Sequence, residues 1–193
     1  TARRISYMGH HTFDPDKADR LDDAERRYRY VSMEELVCAV DPSEEDTVVD
    51  LGSGTGFYTD DVARFAGTVY AVDVQEEMHD RYREKGVPEN VETVTAGVGD
   101  LPLEDGAVDA AYSTMTYHEF ASPDALGEIR RVLRPGARLV VADWSADGDG
   151  RHGPPTDERY DAGEVGDALV DAGFTVERAD ERTETLFVVS AVA

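Results

Sequence analysis

A glycine-rich stretch directly after an apolar segment constrains the fold of this chain more than any other sequence feature. The apolar segment spans residues 47–51 and leads into Gly52, Gly54 and Gly56. Glycines at a strand-to-helix turn let the backbone fold tightly and let a ligand approach without a Cβ in the way. In an open α/β sheet this turn lies at the carboxyl edge of the strands, where ligands bind. The stretch therefore predicts a ligand site at the end of a first buried strand.

Apolar segments and helical segments alternate along the rest of the chain. Predicted strands occupy residues 47–51, 69–72, 91–95, 108–113, 139–142, 174–177 and 186–192. Only a short connection separates the last two strands, which favours antiparallel pairing between them. The pattern predicts an α/β fold with a Rossmann-like, doubly wound, seven-stranded sheet that is mostly parallel and has an antiparallel last strand.

Capping patterns predict where several helices begin and end. Residues 32–35 (SMEE) are typical of a capping box at a helix start. Ser122 and Pro123 open another helix, and the proline–glycine pair at 135–136 is expected to close it. Residues 161–172 are predicted to form a later helix that ends at Gly173.

The N-terminal segment differs from the rest of the chain. Residues 1–30 are polar and irregular, and we expect them to form a lid over the site or a tail, with residues 31–193 forming the folded domain. His10, His11 and Phe13 lie in this segment. No third ligand stands at metal-binding spacing from the two histidines, so no metal site is expected.

An acidic residue after the second predicted strand points to a cofactor. Asp73 can accept two charge-assisted hydrogen bonds from a ribose diol, and with the glycine turn it predicts a nucleoside-containing cofactor. The dinucleotide fingerprint G-x-G-x-x-G is not matched, because the third glycine comes one residue early at Gly56 and Phe57 stands in its place. An NAD-dependent oxidoreductase stays open as an alternative, since NAD would use Asp73 equally well.

Four segments in this order resemble motifs of the class I S-adenosylmethionine-dependent methyltransferases. Residues 48–56 (VVDLGSGTG) resemble motif I, and residues 69–73 (VYAVD) resemble the following strand with its ribose-binding acid. Residues 100–103 (DLPL) and 131–136 (RVLRPG) resemble the adenine-side loop and the later helix and turn. The sequence is most similar to the small-molecule branch that includes quinone-type methyltransferases. The resemblance implies S-adenosylmethionine as cofactor, S-adenosylhomocysteine as product and a small-molecule methyl acceptor.

The turn and the resemblance together imply a set of cofactor-binding residues. In place of the acid that often takes the adenine amino group in this family, the chain has Gly97. Either Asp100 or the backbone near Val98 and Gly99 is expected to replace that contact. The expected set is Asp50, Gly52, Ser53, Gly54, Gly56, Tyr58, Asp73, Val74, Met78, Val98, Gly99, Asp100 and Met115.

Methyl transfer is an in-line displacement that needs a general base only if the acceptor loses a proton. The candidates for that role are His118 and Glu119, just after the fourth predicted strand, and Asp143, at the tip of the fifth. A non-catalytic, cofactor-binding subunit and a methyltransferase for protein or RNA also stay open as functions of the chain. A monomer and a homodimer are both compatible with the sequence.

The charge of the chain restricts which partners it can bind and indicates the salt content of its source. Lys plus Arg total 19 against 42 Asp plus Glu, a formal net charge of −23 that disfavours nucleic acid as a partner. Only Lys17 and Lys85 are lysines, which with the abundant acids favours a halophilic source. No apolar run approaches the roughly 20 residues of a membrane span, and no leader pattern is visible, so we expect a cytoplasmic protein.

Overall fold

The computed structural model of the protein describes residue 14 and residues 20–192. His10, His11 and Phe13, and with them most of the segment expected to be a lid or a tail, lie outside the described residues. The division of the chain at residue 31 therefore stays a prediction.

One sheet organises the described part of the chain. Its seven strands are β1 (Thr47–Leu51), β2 (Thr68–Asp73), β3 (Val91–Thr95), β4 (Val108–Thr114), β5 (Leu133–Trp144), β6 (Phe174–Glu181) and β7 (Thr185–Val192). The helices are α1 (Ala24–Tyr28), α2 (Met33–Val40), α3 (Phe57–Ala63), α4 (Glu76–Lys85), α5 (Tyr117–Phe120), α6 (Pro123–Val132) and α7 (Ala162–Asp171), with a short 3₁₀ turn at Thr156–Glu158.

The strand order is β3-β2-β1-β4-β5-β7-β6. Strands β1 to β5 pair in parallel, whereas β7 lies antiparallel to both β5 and β6. This arrangement confirms the predicted doubly wound α/β fold with its antiparallel last strand. Because the strand order reverses between β1 and β4, their carboxyl ends form the switch point at which such sheets bind ligands.

Alternate residues of β1 pack on opposite faces of the sheet, and helices cover both faces. Val49 and Leu51 pack into one core with α6 and α7, whereas Val48 packs into the other core with α2 and α3. Successive side chains of a strand point to opposite faces, so an almost continuous apolar run is what a doubly covered strand requires. The same alternation places Asp50 on the α3 side.

The start of β5 differs from the prediction. The sequence pattern has the proline–glycine pair at 135–136 closing a helix, but α6 ends at Val132 and both residues lie within β5. Leu133 pairs with Val108 and Arg138 pairs with Ala110, so the additional residues of β5 form an irregularity in the ladder. Proline and glycine are tolerated in a strand at such irregularities.

One other predicted boundary and one predicted cap also need correction. Strand β6 extends to Glu181 rather than residue 177, because it is an edge strand whose exposed polar residues do not show the apolar pattern of a buried strand. At α2 the Ser32 hydroxyl accepts from the Glu35 amide at 3.2 Å, as a capping box requires. The Glu35 carboxylate instead accepts from Nη1 of Arg182 at 3.0 Å.

Residues 20–31, which we call the cap segment, pack against α3 and the glycine turn. The Tyr58 hydroxyl donates to the carbonyl oxygens of Arg27 and Val31, both at 3.0 Å. The Asp22 carboxylate accepts from the Thr55 hydroxyl and from the Lys85 ammonium group. These bonds attach the cap segment beside the carboxyl end of β1. Within the described residues, no helix has the length and apolar character needed to cross a membrane.

The acidic surface generates a prediction about salt. At 1 M salt the Debye length falls to roughly 3 Å, which screens the repulsion within a chain of net charge −23. If screening recovers about 2 kcal/mol, the melting temperature rises by roughly 4–8 °C between low-salt buffer and multimolar KCl. Calorimetric melting measures this shift. Sucrose is the uncharged control, and it should raise the melting temperature less than KCl does. Equal melting temperatures at both salt concentrations would contradict a halophilic adaptation.

Candidate active site

A mostly apolar cavity of about 370 Å³ lies at the carboxyl ends of β1, β2 and β4. Its volume falls within the range of small-molecule sites. The predicted site residues that line it are Gly52, Ser53, Gly54, Asp73, Val74, Met78, Val98, Gly99, Met115 and Glu119. The predicted residues outside this lining are Asp50, Gly56, Tyr58, Asp100, His118 and Asp143.

The glycine turn is fixed by packing as well as by its backbone conformation. Gly52 and Gly56 have φ values of +83° and +80°, which favour glycine. A Cβ on Gly52 would overlap Thr116, and a Cβ on Gly56 would overlap the ring of Tyr82. At these two positions the missing side chain therefore makes room for protein atoms, and not only for a ligand.

The Asp73 carboxylate is held at both oxygens at one end of the cavity. Oδ2 accepts from the Gly54 amide at 2.8 Å, and Oδ1 accepts from the Gln75 amide at 2.9 Å. Each carboxylate oxygen can accept more than one hydrogen bond, so a diol in the cavity can still bind to Asp73. The carboxylate thus keeps its capacity to bind a ribose.

Beside Asp73 the cavity walls are apolar. Val74 is 57% exposed although it is apolar, whereas Met78 and Val98 are buried. Apolar side chains that line the same cavity suit a flat ring such as adenine. Asp100 is exposed, and its amide donates to the Gly97 carbonyl at 3.0 Å. The geometry therefore favours the backbone near Val98 over Asp100 as the substitute for the missing acid.

Asp50 lies behind the glycine turn and not in the cavity. It is buried, and its Oδ2 accepts from the Thr59 hydroxyl at 2.6 Å and from the Tyr112 hydroxyl at 3.0 Å. Burial raises the pKa of this carboxyl to about 7, against the lowering effect of those two bonds. Asp50 therefore links β1 to α3 and β4 behind the glycine turn.

Tyr58 also lies outside the cavity, because its hydroxyl bonds to the cap segment.

The three candidates for proton transfer form one connected group. Asp143 is buried, and its Oδ2 accepts from the His118 amide at 2.7 Å. The His118 Nδ1 lies 3.0 Å from Oδ1 of Asp143, and its Nε2 lies 3.9 Å from Oε1 of Glu119. Of the three, Glu119 lines the cavity, whereas His118 and Asp143 lie behind it.

The pKa values of Glu119 and His118 are both raised. Burial raises the pKa of the Glu119 carboxyl to about 7, although His118 lowers it in part. Burial alone would lower the pKa of His118, but the charge and hydrogen bond of Asp143 outweigh it and raise that pKa. A carboxylate that titrates near pH 7 at a cavity wall can take up or release a proton there.

Several lining residues are not among the site residues that the sequence predicts. They include Leu21 and Arg27 from the cap segment, and also Phe57, Thr116, Phe120 and Ser122. The first two lie in a charged stretch without a recognisable pattern, and they reach the cavity through the contacts of the cap segment. Among the residues that the structure describes, no group of three or more His, Cys, Asp or Glu could hold a metal ion.

Comparisons with known proteins agree with this geometry. A family profile described as "Methyltransferase domain" matches residues 49–141. The crystal structure of a SAM-dependent methyltransferase from Aquifex aeolicus is 34% identical with a TM-score of 0.85, covering 94% of this chain and all of that one. The chain therefore belongs to the S-adenosylmethionine-dependent methyltransferases. S-Adenosylmethionine is its cofactor, which makes the NAD alternative the less favoured one.

Curated relatives match a shorter stretch. An uncharacterised protein of transposon TN4556 from Streptomyces fradiae is 36% identical over 146 residues, which are 68% of this chain and 41% of that protein. Demethylmenaquinone methyltransferase from Corynebacterium kroppenstedtii is 35% identical over 108 residues, which are 55% and 45% of the two chains. The chain thus spans less than half the length of these relatives.

The geometry at Asp73 generates a prediction about cofactor affinity. We expect Asp73→Ala or Asp73→Asn to weaken binding of S-adenosylhomocysteine by about 2 kcal/mol, or roughly 30-fold, through loss of charge-assisted bonds to the ribose. Isothermal titration calorimetry measures this change, with Asp80→Asn on the exposed side of α4 as control. An unchanged affinity in the Asp73 variants would contradict a ribose contact, and a clear isotherm with NAD alone would contradict the cofactor.

Proposed function

We propose that the protein transfers a methyl group from S-adenosylmethionine to a small-molecule acceptor whose attacking atom loses a proton. The observation that carries the proposal is Glu119, a carboxyl with a pKa of about 7 at the wall of a mostly apolar cavity. Transfer to an acceptor that carries no proton would not need such a group.

The cofactor, when bound, supplies an electrophilic methyl group, and the chain holds the two reactants in line. Asp73 would accept hydrogen bonds from the ribose, and Val74, Met78 and Val98 would flank the adenine. Gly52 and Gly54 would contact the methionine portion through their backbone. The cavity lining supports these roles.

Glu119 takes the proton from the acceptor, and His118 and Asp143 position it. Asp143 accepts from Nδ1 of His118, which directs Nε2 of the imidazole toward Glu119. A histidine fixed in this way orients its neighbour and can share its proton. Because Asp143 is buried and His118 is partly buried, water screens the charges of these two groups weakly.

The lining and the charge of the chain support a small, apolar acceptor. Phe57, Phe120 and Ala125 contribute carbon surface to the cavity. The relative from Corynebacterium kroppenstedtii is named for a quinone, which supports an aromatic acceptor with a hydroxyl group or an acidic ring carbon. A net charge of −23 opposes binding of RNA.

We also propose that the protein functions in the cytoplasm of a cell with a high internal salt concentration. Cys38 is exposed and has no disulfide among the described residues, which suits a reducing compartment. The excess of acids over basic residues suits high salt.

The proposal is tested by following a deuterated methyl group. The protein is incubated with methyl-deuterated S-adenosylmethionine and separate small-molecule, RNA and protein fractions of a cell extract, and products are analysed by mass spectrometry. We expect a labelled product in the small-molecule fraction. Label confined to RNA or protein, or no turnover with any fraction, would contradict the proposal.

A second prediction concerns Glu119 once an acceptor is in hand. We expect Glu119→Gln to lower kcat by about 10²–10⁴-fold, the usual contribution of a general base, with little change in S-adenosylhomocysteine affinity. Wild-type kcat should rise as pH increases through about 7, where the Glu119 carboxyl ionises, and the variant should lack this rise. Steady-state kinetics across pH measure both, with Asp124→Asn at an exposed position of α6 as control. A variant that keeps the pH-dependent rise would show that another group titrates.

A further inference from the structure

Buried polar atoms without a partner cluster near the glycine turn. Among the described residues, Nε of Arg27, Oγ of Ser53 and Oδ1 of Asp50 are buried and make no hydrogen bond. An unsatisfied buried polar group is costly and rare in a folded protein, so each requires an explanation. Arg27 and Ser53 both line the cavity, where a bound ligand would supply their missing partner.

Aromatic rings fix the guanidinium group of Arg27. Its Cζ lies 4.7 Å from the ring centroid of Tyr58 and 5.7 Å from that of Phe57. Arginine stacks on aromatic faces while its N–H groups point outward in the plane of the guanidinium, in a fork that matches a carboxylate. The packing therefore orients Arg27 before a ligand arrives, which lowers the entropy lost on binding.

The cap segment that carries Arg27 is itself attached to the turn. Asp22 accepts from Lys85 and Thr55, and the Arg27 carbonyl accepts from Tyr58. These bonds involve protein atoms alone. The backbone position of Arg27 is thus set by the fold and does not depend on the ligand, and the rings of Tyr58 and Phe57 hold its guanidinium.

Charge makes Arg27 distinctive in the cavity. Among the described residues that line it, Arg27 is the one basic side chain, and Asp73 and Glu119 are acidic. An anionic ligand group would be repelled by both carboxylates and by the net charge of −23. Burial lowers the pKa of Arg27, partly offset by Tyr58 and Asp50, so its charge is poorly solvated and gains much from an anionic partner.

We propose that Arg27 binds the carboxylate of the methionine portion of S-adenosylmethionine, with the Ser53 hydroxyl as a second donor. The cap segment is then part of the cofactor site. Asp73 receives the ribose, so the amino-acid portion is the anionic part of the cofactor left for Arg27. The inference rests on the cofactor of the family and not on the acceptor or the role of Glu119.

Two ligands that differ in one carboxylate test the proposal. S-Adenosylmethionine and decarboxylated S-adenosylmethionine share the adenosine, the sulfonium and the amine. We expect the wild-type protein to prefer the carboxylate-bearing ligand by about 10- to 100-fold in Kd, the effect of a hydrogen-bonded charge pair. In Arg27→Met this preference should vanish, with little change in affinity for the decarboxylated ligand. Isothermal titration calorimetry gives all the constants without need of an acceptor.

Arg29→Met is the matched control, because it removes the same charge from the same segment at an exposed side chain that pairs with Glu25. We expect it to keep the wild-type preference. Equal weakening of both ligands by Arg27→Met would show that Arg27 only packs the cap segment, and unchanged affinities would exclude the contact. Either result overturns the proposal.

Arg27→Lys covers the case in which the methionine variant does not fold, as judged by thermal melting. It keeps the charge but loses the planar fork, and we expect an intermediate preference for the carboxylate-bearing ligand. A preference in Arg27→Lys equal to that of the wild type and of Arg29→Met would show that the guanidinium fork does not bind the carboxylate, and would overturn the proposal. A protein that follows this binding pattern but methylates no small molecule would refute the proposed function and leave Arg27 assigned.

Discussion

The structure depends on the turn after β1, where three glycines leave room for other elements to approach. Thr116, Leu21 and Tyr82 come from the loop after β4, the cap segment and α4, and each has an atom within 3.2 Å of where a Cβ on Gly52, Gly54 or Gly56 would be. The close approach of these elements shapes the cavity. The turn also brings the Gly54 amide to Asp73, so one tight turn positions both the backbone and the carboxylate that a ribose would meet.

Charged groups are divided between two environments in this protein. The surface carries a large excess of exposed acids, whose interactions water and salt screen. The buried Asp50 and Asp143 and the partly buried His118 lie near the same carboxyl edge of the sheet, each with specific hydrogen-bond partners. Clusters of buried titratable groups are typical of functional sites, because burial shifts pKa values most there. The net charge and the few buried titratable groups therefore belong to separate parts of the molecule, the surface and the carboxyl edge of the sheet.

The sequence was sufficient for the sheet and the turn, because both follow from local periodicity and glycine. It was insufficient where distant residues meet. Glu35 finds its partner 147 positions away in Arg182, and a regular capping pattern cannot show this. The resemblance places Tyr58 at the cofactor, but successive helical residues point about 100° apart, so Phe57 faces the cavity while Tyr58 faces the cap segment. Arg27 enters the site only through that tertiary packing.

The position of β7 has a consequence for the order in which the chain assembles. In the sheet, β6 contacts β7 and no other described strand, whereas β7 also pairs with β5. During synthesis β6 leaves the ribosome before β7. It can join the sheet only after β7 has emerged and paired with β5. Until then the edge of β5, with its apolar residues, stays open to pairing with other chains. The nascent protein therefore passes through a stage in which completion of its sheet waits for a strand still in the exit tunnel.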